Sequence, residues 1–118
     1  MKANYWEQVI IRYEGKVISR THLSNNEMME LCINKVSNYY DIPLEVLKSK
    51  SRVREVVKAR QIFCWLMRKN TRLSFRDIGK PLIIDHSTVI HAIKTVENLI
   101  HTKDYFGNDA LLINEKLV

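Results

Sequence analysis

Asp85-His86-Ser87-Thr88, with His91 a little further on, brings a carboxylate, two imidazoles and two hydroxyls into seven residues. Such groups make a nucleophile–base pair, a metal site or a hydrogen-bonding reader, and their spacing discriminates among the three. His86 and Ser87 are adjacent, so on a helix they point about 100° apart and not into nucleophile–base contact. His86 and His91 are five apart and do not stack on one helical face, and no HExxH or CxxC occurs. Asp41, Asp77, Asp85 and Glu97 form no paired-carboxylate motif. Gly15, Gly79 and Gly107 lack the spacing of a phosphate-cradling loop, so an ATPase domain is not expected. The expectation is a non-enzyme with no catalytic residue, no metal and no cofactor.

The element that must position this cluster follows it directly. Val89, Ala92, Ile93, Val96, Leu99 and Ile100 recur at the three-and-four spacing of a helix with one buried face. Stepping 100° per residue, Val89, Ile93, Val96 and Ile100 stay within about 40° of one direction. Ser87, His91, Lys94, Thr95 and Asn98 collect on the opposite side, which carries donors, acceptors and a positive charge but no carboxylate. Asp85 stands at the helix start, where a carboxylate caps free amides; it could equally accept from a cytosine amino group. His86 and Thr88 suit a helix surface, or a base edge and a phosphate respectively.

The rest of the chain is helical in pattern and poor in glycine and proline. Asn4 and Glu7 have capping-box spacing ahead of Tyr5, Trp6, Val9, Ile10 and Tyr13, which predicts a short first helix; a hairpin turning at Glu14-Gly15 is the competing pattern. Ser24 and Glu27 open a second helix with Met28, Leu31, Cys32, Val36 and Tyr39 on one face, ending near Asp41. Pro43 allows a brief turn. A long helix follows from about Arg52 to Asn70, with Val53, Val56, Val57, Arg60, Cys64 and Met67 inward. Arg60 can lie there only if its stem packs and its head escapes or pairs. A short helix from about Ser74 to Gly79 and the connection Lys80–Ile84 lead to Asp85. The tail predicts a last short helix capped by Asn108 or Asp109.

At 118 residues, one domain with a modest core is expected. The formal charge of +6 is unevenly spread: Lys48 to Lys80 holds eleven basic residues against Glu55 and Asp77, or +9, leaving −3 elsewhere. Such an asymmetry suits a polyanionic partner, although a solvated basic surface would show it too. Cys32 and Cys64 are isolated in apolar patterns, as in the core of a protein from a reducing compartment. No apolar run approaches the roughly 18 residues of a membrane span, and the N-terminus lacks a signal peptide's apolar centre. A cytoplasmic protein without membrane contact is expected.

Short helix, tight connection and longer helix form the arrangement that seats a recognition helix in the major groove. Here the sequence resembles the C-terminal DNA-binding domain of the bacterial replication initiator family DnaA. "DHSTVIHA" is similar to that family's closing signature, and "LSFRDIGK", "VVKARQI", "LKSKSRVREVV" and "CINKVSNYYDIP" extend the likeness backwards in order, over 24–100. The resemblance implies an all-α, Trp-repressor-like helix-turn-helix domain over 24–118, behind an N-terminal extension of 1–23. It implies binding to a short A·T-rich box of double-stranded DNA. Asp85, His86 and Ser87 would read bases in the major groove, and Arg52 would enter the minor groove. Thr88, His91, Lys94 and Thr95 would lie along the backbone. Lys50 and Arg54 would support Arg52, and Ser74 and Phe75 would begin the helix that crosses the backbone.

The chain departs from the family pattern at Thr95, where a lysine is frequent, and at two points ahead of the helix. Ile84 stands where an arginine is usual, and "KPLIID" must close its turn without glycine. The implied protein is a DNA-reading module without ATPase, a replication accessory or regulator at the bacterial nucleoid, with replication proteins as possible partners. The competing expectation is a protein-interaction module that kept the fold but not box recognition, with Tyr5, Trp6 and Ile84 as an exposed apolar patch.

Overall fold

The computed structural model describes residues 23–117. Among them are six α-helices and no strand: α1 (Asn25–Tyr40), α2 (Leu44–Leu47), α3 (Arg54–Asn70), α4 (Phe75–Gly79), α5 (His86–His101) and α6 (Tyr105–Glu115). A single 3-10 turn, Lys80–Leu82, joins α4 to α5. The helix expected after Asn4, with Tyr5 and Trp6, lies outside the described residues.

α1 begins with a complete capping box. Ser24 Oγ accepts from the Glu27 amide at 3.1 Å, and Glu27 Oε1 accepts from the Ser24 amide at 2.8 Å. The helix stops at Asp41, whose φ of 55° is left-handed. Met28, Cys32, Ile33 and Val36 are buried, whereas Tyr39 is half-exposed with its hydroxyl directed at α6.

α3 is the central helix, because every other one packs against it. It starts at Arg54, two residues later than its apolar spacing predicts. Val53 precedes it with extended backbone (φ −58°, ψ 135°), leaves the inner stripe and is 58% exposed. Ile62 to Met67 are buried without interruption, as in a helix enclosed on all sides. Cys64 lies in this stretch, and burial pushes its thiol up to about 12, which makes it a packing residue.

Arg60 resolves the tension noted in its sequence position. Its stem packs, and its head pairs with backbone carbonyls: Nε donates to Leu47 at 2.7 Å, Nη1 to Ser51 at 2.8 Å and Nη2 to Ser49 at 2.6 Å. One buried-stem cation thereby gathers the end of α2 and the basic loop before α3 around its donors.

The last helix is capped by Asp104, whose Oδ1 accepts from the Phe106 amide at 2.9 Å, and not by Asn108 or Asp109. Lys103, at φ 59°, turns the chain sharply after α5 and so sets this earlier start. Asp109 is instead a buried carboxylate inside α6. It accepts from the Tyr39 hydroxyl at 2.8 Å and from Tyr40 at 2.7 Å, tying α6 to α1. Burial, reinforced by this hydrogen bond, holds the Tyr40 phenol well above its ordinary pKa.

Gly107 lets α6 approach α5. A Cβ there would stand 2.4 Å from the Leu99 carbonyl oxygen, which is rigid backbone. Gly107→Ala should therefore cost about 1–3 kcal/mol by forcing the helices apart. Urea unfolding monitored by far-UV circular dichroism measures it. Arg60→Ala should cost about 1–3 kcal/mol in the same assay through the carbonyls it strands. Arg60→Lys should not restore stability, since one ammonium cannot span both segments.

Candidate nucleic-acid interface

The corner between α4 and α5 is built on backbone contacts. Ser74 caps α4, its Oγ accepting from the Asp77 amide at 3.2 Å. Phe75 is half-buried with the Arg68 guanidinium 4.4 Å over its ring. At the far end, a Cβ on Gly79 would meet the Ile84 carbonyl oxygen at 2.3 Å and a Val89 methyl at 3.0 Å. Gly79 has an ordinary helical φ of −76°, so close approach and not backbone freedom requires a glycine here.

The connection does close without glycine in its turn. The Ile83 amide donates to the Lys80 carbonyl and the Ile84 amide to Gly79, both at 3.1 Å. Ile83 takes the left-handed conformation, φ 57° and ψ 47°, which a β-branched side chain seldom adopts. Its side chain is 79% exposed. Ile84, by contrast, is partly buried against the core, so it is no free apolar patch.

Asp85 caps α5, with Oδ1 accepting from the Thr88 amide at 2.8 Å. That hydrogen bond, together with one from the Thr88 side chain, holds the carboxyl below its ordinary pKa. The carboxylate is exposed, with Oδ1 turned to the Thr88 amide. His86, Ser87, Thr88, His91 and Lys94 are exposed, while Val89, Ala92, Ile93 and Val96 are buried behind them. Thr95 is half-buried and donates to the His91 carbonyl at 2.8 Å, so its hydroxyl proton is engaged within the helix.

The basic loop stands ahead of α3. Lys50 and Arg52 are exposed on it. Its backbone is held by the Arg60 donors and by two serines: the Ser51 amide donates to Ser49 Oγ at 3.2 Å and the Val53 amide to Ser51 Oγ at 3.3 Å. A loop fixed in this way presents its cations with little ordering left to do. Arg54 is exposed at the first turn of α3, and its guanidinium lies 5.5 Å over the Phe106 ring, leaning towards α6.

Asp85, His86, Ser87 and Thr88 thus share the first turn of α5, with His91 and Lys94 on the same exposed side. Lys50 and Arg52 share the loop, and Ser74 and Phe75 the start of α4. Arg76 and Lys80 were not singled out by motif, yet they line a shallow groove beside Asp85 and His86. Their membership of the basic third of the sequence and of the stretch "LSFRDIGK" hinted at them. Lys80 Nζ is 3.1 Å from an Asp77 carboxylate oxygen, a surface pair easily exchanged.

The site offers exposed cations, hydrogen-bond donors and acceptors. Among the described residues no three His, Cys, Asp or Glu side chains are grouped to hold a metal ion. No helix among them is long and apolar enough to cross a membrane.

Comparison with known proteins agrees with this architecture. The family model described as the bacterial dnaA protein helix-turn-helix matches residues 29–96, from within α1 to within α5. The chromosomal replication initiator protein DnaA of Flavobacterium psychrophilum is 45% identical over 83 residues, which are 70% of this chain and 17% of that protein. The protein of the same name from Ehrlichia ruminantium (strain Gardel) is 35% identical over 104 residues, 86% of this chain and 22% of that protein. That of Bacteroides fragilis is 40% identical over 78 residues, 65% of this chain and 16% of its own. The chain spans about a fifth of the length of these curated relatives. With more than half of its residues matched by the family model, the chain belongs to the bacterial DnaA helix-turn-helix family.

Proposed function

We propose that this chain binds double-stranded DNA sequence-specifically at a box of the kind its DnaA relatives would read. The observation that carries the proposal is the exposed first turn of α5: Asp85, His86, Ser87 and Thr88 projecting from a helix whose other side is fixed in the core. Asp85, His86 and Ser87 contact base edges in the major groove, where each base pair presents a distinct set of donors and acceptors. Thr88, His91 and Lys94 meet the flanking phosphates, and Thr95 offers its oxygen there. Arg52, on a loop held by Arg60, enters the adjacent minor groove, with Lys50 and Arg54 adding positive charge. Ser74 and Phe75 bring the start of α4 to the backbone. The biological role is that of a replication accessory or regulator.

A protein-interaction module that has lost box recognition is the second reading. Tyr105, Leu111 and Leu112, exposed on α6, favour it. In that case a replication protein would be recovered after nuclease treatment while no duplex is retained.

Fluorescence anisotropy near physiological salt distinguishes the two. Duplexes carrying an initiator box should bind at least ten-fold more tightly than scrambled ones, whereas equal affinity would remove the specificity claim. Arg52→Ala should weaken binding and reduce the salt slope by about 1. His86→Ala should cost about 1–3 kcal/mol on the box and little on scrambled duplex. Asp85 has two roles that substitutions separate. Asp85→Asn keeps a capping oxygen and the melting temperature but loses box preference, while Asp85→Ala lowers both.

A further inference from the structure

Ile83 is an anomaly that the fold does not require. It is 79% exposed, lies outside the apolar cluster and occupies left-handed backbone where glycine or asparagine would be unstrained. Its position is specific, however. It lines the shallow groove between α4 and α5 together with Arg76 of α4, Lys80 just after it, Ile84, and Asp85 and His86 at the start of α5.

A ligand that touches all of these must be anionic at one edge, apolar in the middle and rich in donors or acceptors at the other. Among the nucleotides of a duplex, thymidine has this combination: a phosphate, a C5-methyl group and the O4 edge beside it. Cytosine, adenine and guanine present no methyl in the major groove. We infer that Ile83 is a specificity-determining residue, packing on the C5-methyl of a thymine at the margin of the box while Arg76 and Lys80 meet the adjoining phosphate. The inference rests on the DNA reading proposed above and adds to it a base preference made by shape. It also gives this chain a contact in the turn where Ile84 leaves no cation.

Replacing thymine by deoxyuridine removes the methyl and leaves base pairing intact. With the whole chain and a box duplex, anisotropy is measured for deoxyuridine placed at each thymine in turn. One position, at the edge of the box, should weaken binding about four-fold, the value of one buried methyl-sized group. Ile83→Gly and Ile83→Asn should bind the thymine and deoxyuridine duplexes alike at that position. Both should melt no lower than the parent chain, since both suit a φ of 57°. Equal binding of the parent chain to every deoxyuridine duplex would overturn the inference, as would a thymine preference that survives both substitutions. If the box were bound no better than scrambled DNA, the underlying reading would fall with it. Box preference without methyl sensitivity would overturn this inference alone.

Discussion

The contact between Gly79 and the Ile84 carbonyl, closer than any side chain would allow, governs this domain's exposed corner. Because α4 and the chain entering α5 touch through backbone, the four residues between Gly79 and Ile84 have little room to vary. The Ile84 amide returns to the Gly79 carbonyl, Ile83 is forced into left-handed backbone, and Asp85 arrives in the extended conformation of an N-cap. Val89, one turn into α5, closes against the same glycine. The direction of α5 therefore follows from a missing Cβ on α4. A helix anchored by its buried stripe alone would keep freedom to slide or tilt, and groups that read base edges tolerate little of either.

Arg60 does for the basic loop what Gly79 does for the turn, by a different force. A domain with so many cations near its surface has every electrostatic reason to splay that loop into solvent. One guanidinium directed inward holds it, because the carbonyls of Leu47, Ser49 and Ser51 converge on its planar fork. The exposed cations Lys50 and Arg52 ride on backbone that is already ordered, so engaging a polyanion would lose less conformational entropy. Charge and order come from the same residue type in two settings: half-buried and hydrogen-bonded to backbone carbonyls at Arg60, exposed at Arg52.

How much of this was legible in the sequence depends on whether the cause was local. α5 and its two faces follow from apolar spacing, and the capping roles of Ser24 and Asp85 follow from residue type at a helix start. Arg60 announces itself as a cation on an apolar stripe, although only the fold shows which carbonyls it meets. Asp109 was misread as a cap because its partners, Tyr39 and Tyr40, are some 70 positions away. Val53 sits one residue outside α3, where periodicity cannot locate the helix boundary. The left-handed Ile83 was signalled only by a turn that lacks glycine, and residue type pointed elsewhere, since β-branched residues disfavour that backbone. It is the requirement of the Gly79 contact, a tertiary fact, that puts it there.

The central claim is that the first turn of α5 and the basic loop form one DNA-facing surface, with Leu111 and Leu112 of α6 outside it. Titrating isotope-labelled protein with a box duplex and following backbone amide shifts by NMR tests this most directly. The account predicts large shifts at Ser49–Arg54, Ser74–Arg76 and Ile83–Thr95, with Leu111, Leu112 and their α6 neighbours unmoved. Shifts concentrated on α6 and Tyr39, with His86 and Ser87 silent, would contradict it.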